Sequence, residues 1–363
     1  MSAIELQSVC KSLGGKPVVR DVSLSIANGE FVAILGPSGC GKTTMLRLIA
    51  GFETVDSGRV LVGGRTLSAP GTHAPPEVRN VGIVFQNYAL WPHMSVAENV
   101  GFSLKVAGLP RAEREARVSQ TLAMVGLTQF GDRAPAALSG GQRQRVALAR
   151  CLAAKNPVVL LDEPLANLDV HLRAAMEDEF ADFHARSGAT MLYVTHDQAE
   201  AMALADRIAV MDAGRIVQFD TPQTLYREPA NEMIARFVGD GRLVAVEDLR
   251  PLGDGRATAR LYGQPVTVRC AAGERARRRA SLSLHPGDLS LTGDDPQAGL
   301  AAEVLRIRYR GDHFRAELAL GADPRIVLPV NLPQRVPVGQ KVAVALRDGW
   351  VLPDPNLAQA QAA

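Results

Sequence analysis

The chain has 363 residues, more than one hydrophobic core ordinarily organises, so two domains are expected. Its composition is that of an ordinary globular protein, and a net charge of +2 supplies no field that would capture nucleic acid or an anionic membrane without specific contacts. Cys10, Cys40, Cys151 and Cys270 form no C-x-x-C pair, which argues against a disulfide framework or a zinc site. Residues 1–5 carry no leader pattern and no later apolar stretch reaches the roughly 18 residues of a spanning helix, so a cytosolic chain is expected.

In chain order, residues 4–9 and 18–26 alternate apolar and polar side chains around Gly14-Gly15-Lys16-Pro17, which predicts two antiparallel strands. The continuous apolar run Phe31-Val32-Ala33-Ile34-Leu35 then passes directly into Gly36-Pro37-Ser38-Gly39-Cys40-Gly41-Lys42-Thr43-Thr44, a match to G-x-x-x-x-G-K-[ST]. This is a buried strand feeding a phosphate cradle. Successive backbone N–H groups wrap the phosphates, Lys42 reaches the outer ones and the Thr43 hydroxyl holds magnesium. Gly36, Gly39 and Gly41 allow turns that a side chain would block, and residues 45–50 read as a helix whose positive end faces the anion. Beside a helix start the Cys40 thiol could be acidified, but filling the loop is the role expected of it.

Residues 58–67 predict another hairpin turning at Gly63-Gly64, and 81–85 a buried strand ending at Gln86, where a polar side chain can face the ligand crevice. Tyr88-Ala89-Leu90-Trp91-Pro92-His93-Met94 places large side chains on a loop, which suggests a docking surface. Helices are predicted over 96–107 and 111–127, the second with Val118, Leu122 and Val125 on one face. Leu138-Ser139-Gly140-Gly141-Gln142 precedes a third helix over 143–152 and forms a second anion site at a helix start. The apolar strand 158–161 delivers Asp162 and Glu163, adjacent carboxylates that are costly there unless they serve a cation or a proton transfer. Asp169 follows on a turn, 172–186 is helical, and the strand 190–194 ends at Thr195-His196-Asp197, which puts a histidine at a strand's carboxyl end. A hairpin over 208–219 and one closing helical segment over 222–238 complete this part.

Beyond Gly239-Asp240-Gly241 the pattern changes to six short alternating strands, over 257–262, 264–269, 304–309, 314–320, 325–330 and 341–346, which predict a small barrel. Arg275, Arg277, Arg278 and Arg279 lack interleaved aromatics and read as a solvated turn, so no nucleic-acid partner is expected.

Taken together in this order, the phosphate loop, Gln86, Leu138 to Gln142, Asp162-Glu163 and His196 resemble the ATP-binding subunit of an ATP-binding-cassette (ABC) importer. The C-terminal strands look like the TOBE-type domain of importers for sugars, sulfate, ferric iron and polyamines. The resemblance implies an α/β P-loop NTPase cassette over 1–238: a RecA-like core with an antiparallel β roof, and a helical subdomain at about 87–157. A small all-β OB-like TOBE domain over 239–353 and a flexible tail over 354–363 would follow. It further implies that Gly36, Pro37, Ser38, Gly39, Cys40, Gly41, Lys42, Thr43 and Thr44 hold ATP, and that Thr43, Gln86 and Asp162 hold Mg2+. Glu163 would be the general base, His196 would position the attacking water, and Gln86 would sense the permease. The family works as a head-to-tail dimer, so Ser139, Gly140, Gly141 and Gln142 would complete the partner's site and Asp169 would link the two. Leu13 stands where family members stack an aromatic on adenine.

The implied partners are a second copy, an integral permease contacting residues 86–94 and, indirectly, an extracytoplasmic solute-binding protein. The location would be the cytoplasmic face of the inner membrane. Short stretches at 237–241 and 309–313 lean toward ferric iron or polyamine as solute, with sugar, sulfate or phosphonate as alternatives. A soluble cassette ATPase of translation or DNA repair commonly has paired cassettes, and a non-hydrolysing module would lack Glu163 or His196.

Overall fold

The computed structural model describes residues 2–166, 170–292, 299–320 and 327–354. Contacts divide the chain into two units, Met1–Pro222 and Gln223–Ala363.

In the first unit, Phe31–Leu35 is the third strand of a six-stranded sheet. The order is Arg215–Asp220, Arg207–Asp212, Phe31–Leu35, Thr190–Thr195, Val158–Asp162, Val81–Val84. Every neighbouring pair is parallel except the first, a hairpin. Central parallel strands are covered on both faces, which is why Phe31–Leu35 and Thr190–Thr195 are apolar or buried throughout instead of alternating. Register brings the carboxyl ends level: Leu35 pairs with Thr195, Asp162 with Val194, and Val84 with Leu161. The chain therefore leaves the sheet at one edge to form the Gly36 loop, Glu163, His196 and the turn that carries Gln86.

A second, antiparallel sheet, ordered Lys16–Ala27, Ser2–Leu13, Ser57–Val62, Arg65–Ala69, Thr72–His73, supplies the roof. Its inward residues Ile4, Leu6, Val22, Leu24, Ile26 and Val60 share a core with Met45, Leu48 and Ile49 of the helix Lys42–Ala50. Arg79, only 3% exposed, locks this helix to the roof. Its guanidinium donates to the helix-terminal carbonyls of Leu48 and Ile49 (2.9 Å each), to those of Ala74 (2.7 Å) and Leu67 (3.3 Å), and to Ser68 Oγ (2.6 Å). Cations suit a helix C-terminus, but burial lowers the Arg79 pKa to about 10. Gly51 ends the helix at φ +89°, and a Cβ there would stand 2.3 Å from Arg79 Nε.

Val96–Val106, Arg111–Met124 and Gly140–Ala154 form a helical group around Val100, Leu104, Val118, Leu122, Val146 and Ala149. The second helix stops at Met124, three residues early, because Gly126 at φ +67° turns the chain away.

The second unit departs from the expected layout. The single closing helical segment is two short helices, Pro222–Arg227 and Glu232–Phe237, separated at Pro229, which cannot donate a helical hydrogen bond and disfavours a helical Glu228. Asn231 restarts the helix by accepting a bond from Ile234 N at 3.0 Å. One small barrel was expected, but two sheets are present. Arg242–Pro251, Arg256–Leu261, Gln264–Arg269, Trp350–Val351 and Arg277–Leu284 close a barrel. Leu289–Leu291, Lys341–Leu346, Leu300–Tyr309, Phe314–Leu320 and Val327–Leu332 form a separate five-stranded sheet sharing its core. Arg277 to Arg279, read as a turn, start a strand whose Ala280, Leu282 and Leu284 point inward, and Arg277 bonds to Leu352 O at 2.9 Å. Residues 325–326 of the expected strand 325–330, and 355–363 of the expected tail, lie outside the described residues.

Candidate active site

Between strand and helix, the phosphate loop is shaped by glycines that accept no substitute. A Cβ on Gly36 would lie 2.2 Å from Met211 O, and one on Gly41, which sits at φ +110°, would lie 2.6 Å from Val18 O. Pro37, Ser38 and Gly39 are exposed, while Thr43 and Thr44 are half-buried in the first turn of Lys42–Ala50. Lys42 is 6% exposed, and its ammonium donates to Gly36 O (2.8 Å) and Pro37 O (3.1 Å), folded back over the loop. Cys40 is buried as a filler. Desolvation raises its thiol pKa, outweighing the pull of Lys42 and the loop amides, so acidification at the helix start does not prevail.

Thr43 Oγ1 donates to Asp162 Oδ1 at 3.3 Å, joining the loop helix to the strand Val158–Asp162. Burial pushes the Asp162 carboxyl above the ordinary range, and the Thr43 hydrogen bond only partly opposes this. Glu163 takes a left-handed backbone at φ +45°, which disfavours residues with a Cβ. Its N–H donates to Val194 O at 2.9 Å, anchoring it to the neighbouring strand. Glu163 Oε2 lies 3.2 Å from Nδ1 of the half-exposed His196. One edge of the sheet thus presents an anion cradle, a half-buried oxygen pair and a carboxylate–imidazole pair.

Sequence reasoning missed the groups that brace Thr195 and Asp197, the residues on either side of His196. Glu200, 3% exposed, accepts from Tyr193 OH (2.7 Å) and Thr195 Oγ1 (2.6 Å), and Thr195 Oγ1 in turn accepts from Asp197 N (3.0 Å). Arg173 donates to Asp197 Oδ2 at 2.8 Å. Asp197-x-x-Glu200 carries the spacing of a helix start, and Asp197 does cap Gln198–Leu204. Nothing in that spacing marks Glu200 as turning inward.

Gln86 is exposed on the turn after Val81–Val84. Leu13, 40% exposed, ends the roof strand Ser2–Leu13. Ser139 and Gln142 form a reciprocal capping box, Ser139 N to Gln142 Oε1 at 2.9 Å and Gln142 N to Ser139 Oγ at 3.3 Å. The helix therefore begins at Gly140, three residues before the position expected. A Cβ on Gly141 would meet Leu172 Cδ1 at 2.9 Å. Asp169 lies outside the described residues. No helix among the described residues is long and apolar enough to cross a membrane.

Two family profiles match the chain, ABC transporter over residues 19–166 and TOBE domain over 282–352. The sequence is 43% identical over 359 residues to the spermidine/putrescine import ATP-binding protein PotA of Methylococcus capsulatus, covering 96% of this chain and 92% of that protein. It is 51% identical over 239 residues to the sn-glycerol-3-phosphate import ATP-binding protein UgpC 2 of Agrobacterium fabrum, covering 66% of this chain and 63% of that protein. The maltose/maltodextrin import ATP-binding protein MalK of Yersinia pestis is also 51% identical, over 243 residues, with 67% and 65% covered. With the phosphate loop and paired carboxylates on one sheet edge and the TOBE match beyond them, the chain belongs to the ABC transporter family as an import ATP-binding subunit, an ATPase coupled to transport.

Proposed function

We propose that two copies of the chain, arranged head to tail, hydrolyse ATP to drive import of a polyamine through a cytoplasmic-membrane permease. The observation that carries the chemistry is the Glu163–His196 pair at 3.2 Å, on the sheet edge that also bears the phosphate loop. Glu163 takes the proton of the attacking water, and His196 orients that water and contacts the terminal phosphate. Lys42 leaves its carbonyl bonds to meet the phosphates, joined by the amides of Gly36 to Thr44. Phosphoryl transfer depends on this positioning and charge neutralisation more than on covalent chemistry.

Thr43 Oγ1 and Asp162 Oδ1, 3.3 Å apart, offer hard oxygen donors, and a carboxylate whose burial is poorly compensated suits a cation. These residues, with Gln86, would hold Mg2+, which supplies neutralisation of phosphate charge. Ser139, Gly140, Gly141 and Gln142 face the partner's nucleotide, and Asp169 links the two sites. Residues 86–94 receive the permease at the cytoplasmic face of the inner membrane, and a solute-binding protein delivers the solute from outside. Polyamine is preferred because the similarity to two spermidine/putrescine import proteins runs through 92% and 88% of their lengths. The glycerol-phosphate and maltose matches stop at 63% and 65% of theirs.

The test is to purify the tagged chain from detergent-solubilised membranes, identify what stays bound by mass spectrometry, and measure spermidine uptake after deletion of its gene. A bound integral permease and lost uptake are expected. Ribosomal or DNA-repair proteins in place of a permease would overturn the transport role, and unchanged spermidine uptake would remove polyamine as the solute.

A further inference from the structure

The loop after Gln86 is held in a costly shape by two helices. Tyr88 and Ala89 both adopt left-handed backbone, at φ +63° and +44°, a region that residues with a Cβ enter only when their surroundings impose it. Arg150 imposes it. Its NH1 donates to Ala89 O at 2.8 Å and its NH2 to Tyr88 O at 2.9 Å, and its guanidinium carbon lies 5.2 Å from the Trp91 ring centroid. Trp91 also packs on Phe102 of the helix Val96–Val106, with centroids 4.3 Å apart. From that helix the fully buried Asn99 accepts from Trp91 N at 2.9 Å and donates to the carbonyls of Trp91, Met94 and Ser95 at 3.0–3.2 Å. The buried Tyr88 hydroxyl has no hydrogen-bond partner among the described residues, so hydrogen bonding to Tyr88 comes through its backbone.

Arg150 lies on Gly140–Ala154, the helix opened by the Ser139–Gln142 capping box. Along this unbroken helix Ser139 and Arg150 are eleven residues, about 16 Å, apart at 1.5 Å per residue. The geometry points to Arg150 as a positioning residue that couples the Ser139 end of this helix to the Tyr88–Trp91 loop. If the helix turns to bring Ser139 onto a nucleotide, the two carbonyls and the Trp91 ring must follow, because one planar fork holds both carbonyls. Lysine, a point donor on a flexible stem, cannot clamp both in the same way. This coupling rests on the reading above that Ser139 meets ATP in a dimer. Among the described residues, the hydrogen bonds of Arg150 go to neither the phosphate loop nor the Glu163–His196 pair.

The test uses the full chain carrying Glu163→Gln, to hold ATP, and Trp350→Phe, which leaves Trp91 as the sole tryptophan. Acrylamide quenching of Trp91 is measured with and without ATP, light scattering reports dimer formation, and calorimetry reports ATP affinity. ATP is expected to change Trp91 quenching in the parent. Arg150→Ala should abolish that change while ATP affinity stays within about twofold, and Arg150→Lys should restore only part of it. A full response in Arg150→Ala overturns the proposal, as does a parent that dimerises with ATP without any change at Trp91. A parent that binds ATP without dimerising instead overturns the dimer reading and withdraws the coupling with it. If Arg150→Ala lowers the melting midpoint, Arg150→Lys decides: a response equal to the parent's refutes the two-carbonyl clamp.

Discussion

Replacing Arg79 by methionine removes the charge that joins the phosphate-loop helix to the roof while keeping most of the side-chain volume. The guanidinium makes five hydrogen bonds to oxygen, and a bond from a charged donor contributes ~1.5–3 kcal/mol. Against them stands the cost of burial: a pKa lowered from 12.5 to about 10 corresponds to ~3 kcal/mol. Methionine relieves that cost but strands the buried carbonyls of Leu48 and Ile49, at ~1–3 kcal/mol each. These contributions overlap and do not add, so the expected loss is the ~3–5 kcal/mol usual when one partner of a buried charged network is deleted. Because the folded-state pKa lies below the unfolded one, the charge is a penalty at every pH below about 10 and is relieved only above it, so across the neutral range the deficit should not vary with pH. Scanning calorimetry of the full chain would read it, with the first unit's transition identified as the one that ATP raises. A drop of about 10 °C is expected, and a midpoint within about 2 °C of the parent would refute the account. Arg79→Lys, which keeps charge but not the fork, should fall between the two.

Glu163→Gln should retain ATP and accumulate the dimer while steady-state phosphate release falls by about 10²- to 10⁴-fold, and near-normal turnover would remove Glu163 from the role of base. Leu13→Tyr should tighten ATP binding, since a stacked base is worth ~1–3 kcal/mol, and calorimetry showing equal affinity would dispose of Leu13 as an adenine contact. If Asp162 holds magnesium as proposed, its raised pKa lets protons compete with the metal at a higher pH than at an ordinary carboxylate. The Mg2+ concentration needed for half-maximal ATPase should therefore climb as pH falls, and a flat dependence would contradict the burial argument. Cys40, buried and with its pKa raised, should resist alkylation in the native protein and react on denaturation; rapid native labelling would show the loop to be open.

The sheet edge proposed for catalysis was legible as an arrangement because each of its parts is local: an apolar run ending in Gly36 to Thr44, another ending in Asp162-Glu163, a third ending in His196. Parallel strands buried on both faces write themselves as continuous apolar sequence. What escaped was decided by partners far along the chain. Arg79 is one arginine in a loop, and its meaning comes from carbonyls at Leu48 and Leu67. Glu200 looks like a capping residue until Tyr193 and Thr195 are seen to enclose it. The start of the Gly140 helix was readable after all, since Ser139-Gly-Gly-Gln142 has capping-box spacing, but the two glycines suggested a loop. In the second unit, three successive arginines masked the alternation of Ala280, Leu282 and Leu284, so a barrel strand was read as a turn.

The placement of Phe31–Leu35 has a consequence during synthesis. Its two neighbours in the sheet are Thr190–Thr195 and Arg207–Asp212, both made much later than the strand itself. While the ribosome is producing the roof hairpins and the helical group, the most apolar strand of the first unit has no edge to pair with. Pairing across such sequence separations closes slowly and leaves the strand open to aggregation. The phosphate loop is braced by Met211, on Arg207–Asp212, the later of these two strands and the first strand of the edge hairpin. A ribosome-bound fragment ending before Thr190 should therefore have no ordered nucleotide cradle, and ATP should begin to protect the nascent chain only once Asp212 has cleared the exit tunnel.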